Sequence, residues 1–254
     1  MSARTINPHV EYALRFGDNA LVLAQRLSSL VAHAPIMEED VALANVALDL
    51  FGQARLWLTY ASEVEGEGRD EDRFAYHRDS HQFRNVLLVE RPNGNFADTI
   101  ARSYFYDLWS YLALGALTRS KDERIAAIAE KSQKESAYHV RRSEDWVIRL
   151  GDGTDVSRQR MQAAVNDVWR YTGELFLGDD VDAAMTERGI GFDPASLREP
   201  WLERVHAALE RATLTLPEDR WMQRGGKQGQ HTEHLSYLLA EMQVLPRAFP
   251  DASW

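Results

Sequence analysis

The chain predicts an all-α fold: a four-helix up-and-down bundle with additional C-terminal helices, forming one domain over residues 1–254. Three observations carry that expectation. Apolar residues recur at helical spacing along most of the chain, and alternating β-branched runs are nearly absent. Most of the long periodic segments exceed four turns. Short loops join them, as between neighbouring antiparallel helices. The 254 residues suffice to bury a substantial core.

The first segment spans about residues 10–31, with Leu14, Leu21, Leu23 and Leu27 in its stripe, and His33-Ala34-Pro35 ends it. Glu38, Glu39 and Asp40 open the second, because acids are favourable at the positive end of a helix dipole. It continues to about residue 64 through Leu43, Val46, Leu50, Phe51, Trp57 and Tyr60. Apolar over most of its circumference, it belongs near the centre. Residues 66–72 form a polar turn, and residues 73–90 read as a short helix followed by an extended piece. Arg91-Pro92-Asn93-Gly94 is a turn, and Asn95 caps a third long helix over residues 96–118. Asp122 starts the fourth, which ends at residue 150 before Gly151-Asp152-Gly153. Thr154 or Asp155 caps a fifth reaching about residue 176. Shorter helices cover about residues 181–188 and 195–211. Residues 212–230, with Pro217, Gly225, Gly226 and Gly229, are irregular, and a last helix covers about residues 231–249.

Composition removes several classes of function. The chain has no Cys, which excludes disulfides, thiolate metal sites and cysteine nucleophiles and is compatible with a reducing compartment. The first ten residues include Arg4, Asn7, Pro8 and His9 and no apolar run, so no secretory signal is expected. No stretch approaches the ~20 apolar residues of a membrane span. A formal charge of -10 argues against nucleic acid or an anionic membrane as partner. No dinucleotide fingerprint, Walker loop or nucleophile elbow occurs. The expectation is a soluble cytoplasmic protein.

The polar residues inside the bundle form an almost complete metal motif. Asp18, Asp49, Asp107 and the pair Glu135/His139 fall one by one on the four long segments. A di-iron bundle takes a Glu from each of two helices and Glu-x-x-His from each of the other two. Here Ser136 stands three residues before His139, where the Glu belongs, and Gly52 three residues after Asp49, where the His belongs. In the fourth segment Ile125, Ile128, Ser132, Ser136, His139, Ser143, Trp146 and Leu150 share a stripe, which turns His139 inward. Asn45, Asp49 and Gln53 form a row on the second, and Tyr104, Asp107 and Tyr111 share a face of the third. Buried acids need a cation, donors or a metal. Two readings follow: a carboxylate metal centre, or a hydrogen-bonded network among these groups and nearby Arg or Tyr. The spacing favours the network, with no metal in this chain.

Three further features stand out. His231 and His234 flank Glu233 after a Gly-rich stretch containing Lys227. This is either an incomplete zinc or anion site, or a turn in which Thr232 and Glu233 cap the last helix. Arg69, Arg73, Arg78, Arg84 and Arg91, with His77 and His81, alternate with Asp70, Glu71, Asp72, Asp79 and Glu90. They are either phosphate contacts or a solvated loop of internal ion pairs. Of the seven Trp, Trp57, Trp109, Trp146, Trp169 and Trp201 read as anchors, whereas Trp221 and Trp254 lie where a partner would meet them.

Several runs carry a resemblance. They are Phe16-Gly17-Asp18-Asn19, Ala42-Leu43-Ala44-Asn45, Leu48-Asp49-Leu50, Gly52-Gln53-Ala54-Arg55 and Leu87-Leu88-Val89-Glu90. The others are Pro92-Asn93-Gly94-Asn95-Phe96-Ala97-Asp98-Thr99-Ile100-Ala101-Arg102, Gly153-Thr154-Asp155-Val156 and His231-Thr232-Glu233-His234. Over essentially its whole length the chain resembles the C subunits of the bacterial ring 1,2-phenylacetyl-CoA epoxidases. That resemblance implies a ferritin-like fold and a non-catalytic role in a hetero-oligomer. The partner A subunit would hold the di-iron centre, and a reductase subunit would deliver electrons from NADPH. It further implies contacts to phenylacetyl-CoA or CoA at Gln82, Phe83, Arg84 and Asn85 and at Ala183, Ala184 and Met185, the latter departing from the family in residue type. The rival readings are a catalytic di-metal oxidase using Asp18, Asp49, Asp107, Glu135 and His139, and a CoA-thioester-binding module.

Overall fold

The structure, a computed structural model, describes residues 7–218, 221–250 and 252. Among them it contains helices α1 (Pro8–Ser28), α2 (Met37–Glu65), α3 (Glu71–Tyr76), α4 (Phe96–Leu117) and α5 (Glu123–Gly151). After these come α6 (Asp155–Trp169), α7 (Asp180–Glu187), α8 (Arg198–Arg211) and α9 (Glu233–Ala248), and no strand. The bundle is two long antiparallel pairs, α1 along α2 and α4 along α5, closed by contact between α2 and α5. α6 and α8 pack on the α4–α5 pair, α7 and α9 on α1. This is the ferritin-like helical architecture expected. No helix among the described residues is long and apolar enough to cross a membrane.

Local chemistry sets the helix ends. Asn7 accepts the His9 N–H, and Pro8 occupies the first turn, where no N–H is needed. α2 has no side-chain cap and relies on Glu38, Glu39 and Asp40; it ends where Gly66 turns left-handed (φ 68°). Asn95 and Asp98 form a reciprocal capping box on α4, Asp122 caps α5 and Thr154 caps α6. Two aromatic stacks fill the core. Phe16 lies 4.8 Å from Trp57 and 6.0 Å from Trp109, joining α1, α2 and α4. Trp201 packs on Phe105, Trp169 and Phe176, and its indole N–H donates to the Phe105 carbonyl at 3.1 Å.

Three expectations need correction. The fifth helix stops at Trp169, not near residue 176, because the Thr172 hydroxyl takes the Trp169 carbonyl (2.8 Å) and Gly173 runs against Met222. A turn, Gly173–Phe176, follows. The helix expected from residue 195 begins at Arg198 after a separate turn, Pro194–Leu197. Residues 83–90 are extended only in part: Phe83 is extended but residues 87–90 turn, and the run forms no strand, its amides bonding to side chains in place of a ladder. Arg84 N–H donates to Asp18, Val86 N–H to Asn19 and Leu87 N–H to Glu174, each at 2.8 Å.

Candidate functional site

Each residue of the incomplete metal motif has another use. Asp18 is fully buried, and the Arg78 guanidinium grips both of its oxygens while the Arg84 amide binds one of them. Arg78 itself lies between Phe74 and Phe83, 4.2 Å from the Phe83 ring, and bonds the carbonyls of Phe74 and Gln82. The carboxylate on α1 is therefore neutralised by a cation from the chain. Arg78 is also removed from the set of surface arginines that would meet a phosphate.

On the other side of the bundle, His139 on α5 is 2% exposed at its side chain and meets Asp49 of α2 at 3.0 Å; Asp49 is 38% exposed. Glu135 accepts from Gln53 at 3.0 Å and pairs with Lys131 at 3.1 Å, so it points toward α2 and solvent. Burial raises the Asp107 carboxyl above the usual range, against the pull of His139, the Ser143 hydroxyl, Arg142 and Arg102. Asn45 is exposed and takes no part in the interior row, while Ser132, Ser136 and Ser143 are buried as the stripe predicts. Trp146 is only partly buried, edge-on to Phe96 at 5.1 Å. Among the described residues no three His, Asp or Glu side chains are placed to hold a metal ion. This donor set does not fit a di-iron centre.

The Gly-rich stretch is built for close approach, not for a cap or zinc. A Cβ on Gly226 would meet the Asn85 carbonyl at 2.2 Å, and one on Gly229 the His81 carbonyl at 2.2 Å. The buried Glu174 carboxylate accepts the Leu87 and Gly225 amides, and Glu90 accepts Asn85, His231 and the Thr232 amide. Thr232 stands at the start of α9, but its hydroxyl caps nothing. Both His231 ring nitrogens are engaged, by Glu90 and by the Phe83 carbonyl at 3.0 Å each, which leaves none for a metal. Two buried carboxylates thus fasten this loop to residues 83–90. Sequence reading missed Glu174 altogether, and nothing local to it signals the role.

The remaining predicted residues divide by position. Gln82 and Arg84 line a groove of about 410 Å³ with Glu11, Arg69 and His81. Arg84 pairs with Glu11 at 2.6 Å and also borders a small interior space of about 20 Å³ beside Asp182 and Lys227. Phe83, Asn85 and Met185 are fully buried, Ala184 is partly buried and Ala183 is exposed on α7. α7 is held by a buried ion network: Arg15 binds Asp179 and Asp182, and Lys227 reaches Asp182 and the Leu177 carbonyl. Trp221 is 73% exposed beside Met222; Trp254 and Arg4 lie outside the described residues.

The whole chain, residues 1–254, matches the family described as Phenylacetic acid catabolic protein. The chain belongs to that family. Within it, the C subunit of the 1,2-phenylacetyl-CoA epoxidase of Escherichia coli (strain K12) is 53% identical over 249 residues, covering 98% of this chain and 100% of the relative. The run of residues 92–102 proves to be architecture. Asn93 ties to Arg26 and Ser29, Thr99 bonds the Asn93 carbonyl, and Arg102 bonds the Arg91 carbonyl and the Asn93 side chain.

Proposed function

We propose that this chain is the non-catalytic, structural subunit of a multicomponent phenylacetyl-CoA 1,2-epoxidase in aerobic phenylacetate catabolism. It works in the cytoplasm as part of a hetero-oligomer. The A subunit holds the di-iron centre, and a reductase subunit supplies electrons from NADPH. The full-length similarity to the C subunit of such an epoxidase supports this reading. One observation carries it: Asp18, a carboxylate where a ligand is expected, is bound by Arg78 on both oxygens. A guanidinium cannot be displaced from a buried bidentate pair without leaving an unpaired charge.

The test is co-expression with the A subunit, separation of the two, and iron analysis of each. Iron should stay with the A subunit, and this chain alone should not turn over phenylacetyl-CoA. His139→Ala should lower the melting temperature while turnover by the reconstituted complex persists. Two tightly bound irons in the isolated chain, with turnover, would overturn the reading in favour of a di-metal oxidase.

A ligand contact fits the same role. Gln82 and Arg84 line the groove, which supports a contact there; Phe83, Asn85 and Met185 are buried, and Ala183 and Ala184 stand on α7, none of whose residues lines the groove. Arg84→Ala should weaken CoA binding in calorimetry if the groove takes CoA; unchanged heats would remove this part alone.

A further inference from the structure

Three guanidiniums line the groove of about 410 Å³ beside α1, and each already has a carboxylate. Arg69 is held by Glu65 and lies over the Phe74 ring. Arg78 grips Asp18. Arg84 gives its Nε to Glu11 and one terminal nitrogen to the carbonyls of His81 and Phe83, at 2.8 Å each. Glu67, on the same wall, is engaged as well. A phosphate entering here would be an unmatched anion.

The unmet need in the groove is a donor. Glu11 is 6% exposed; its Oε1 pairs with Arg84 Nε at 2.6 Å, but its Oε2 has no hydrogen-bond partner among the described residues. A buried acceptor left without a donor is costly, and a native site that keeps one calls for an explanation. Burial pushes the Glu11 carboxyl above the usual range, against the pull of Arg84 and Arg15. Val10, Leu14 and Phe74, all buried, line the same groove. Gln82 gives its side-chain oxygen to the Asp79 amide, which leaves its NH2 for an acceptor. The matching ligand is uncharged and aliphatic, with an N–H for Glu11 and a carbonyl for Gln82.

We propose that this groove seats the pantetheine arm of a CoA thioester and not its phosphates, an amide N–H of the arm donating to Glu11 Oε2. This rests on the reading above that the groove takes CoA. The arm carries secondary amides between aliphatic stretches and no charge, so it enters the groove without disturbing the three ion pairs. The volume, at the small end of the ~300–1,000 Å³ range of ligand clefts, suits one arm of such a molecule.

The test follows amide chemical shifts of the full chain while titrating two halves of CoA separately. Pantetheine has the arm without phosphate; adenosine bisphosphate has the nucleotide without the arm. Pantetheine should shift residues 10–14 and 74–84, and the bisphosphate should not. Glu11→Gln, checked for folding by its melting curve, should bind pantetheine about tenfold more weakly. If that variant does not fold, the two halves compared on the wild-type chain still decide. Groove shifts from the bisphosphate with none from pantetheine overturn the proposal and leave the CoA reading standing. Wild-type pantetheine affinity in folded Glu11→Gln overturns it equally. No groove response to either half or to intact CoA removes both.

Discussion

At the scale of single residues, the interior is governed by where each buried carboxylate finds its counter-charge. Asp18 and Arg78 form the tightest case. Arg78→Ala should cost about 3–5 kcal/mol, because it leaves a buried anion with only an amide for company. Combining Asp18→Asn with Arg78→Met should restore most of the loss in urea melts; a double variant no better than Arg78→Ala would contradict the pairing. Asp107 behaves oppositely. Its folded-state carboxyl binds its proton more tightly than in the unfolded chain, so unfolding releases a proton. Stability is therefore lost as pH rises from about 3.9, the ordinary Asp value, through the raised one. Asp107→Asn should gain on wild type over that rise, measured as the difference in melting temperature between acid and neutral pH. A difference that does not change with pH would exclude this account.

At the scale of elements, helix starts were legible because they are written locally. Asn95, Asp122 and Thr154 each bond to amides within three residues, and each cap sits where its sequence signal places it. Asn95→Ala should accordingly cost about 1 kcal/mol, read from urea unfolding. What sequence could not show is any element whose partners are distant. Residues 83–90 read as an extended piece, yet their amides are satisfied by Asp18 and Asn19 on α1 and by Glu174. Arg78 meets an acid sixty positions away, so its row of arginines resembled a phosphate site. Thr232 resembled a cap, but its amide is drawn to Glu90. Gly226→Ala tests this long-range fastening. Its Cβ would strike the Asn85 carbonyl, so hydrogen exchange should quicken through residues 222–232 and 83–90 together. Faster exchange in the loop alone would mean the two are not joined.

At the scale of the whole molecule, periodicity sufficed for the bundle. Function came from a pattern with gaps in it, Ser136 and Gly52 standing at two expected ligand positions. The structure gives those gaps distinct meanings: Ser136 is buried, whereas Gly52 has open space where a Cβ would stand. The two helix pairs share one continuous apolar core with the flanking helices. A single calorimetric transition is therefore expected; two resolved transitions would divide the chain into separate units.

The Arg78 guanidinium on Asp18 also bears on how this polypeptide matures. A counter-ion bonded into the backbone cannot be stripped by a chelator or withheld by scarcity. Synthesis in iron-starved cells should therefore yield the same melting curve as synthesis in replete ones, and EDTA should leave that curve in place.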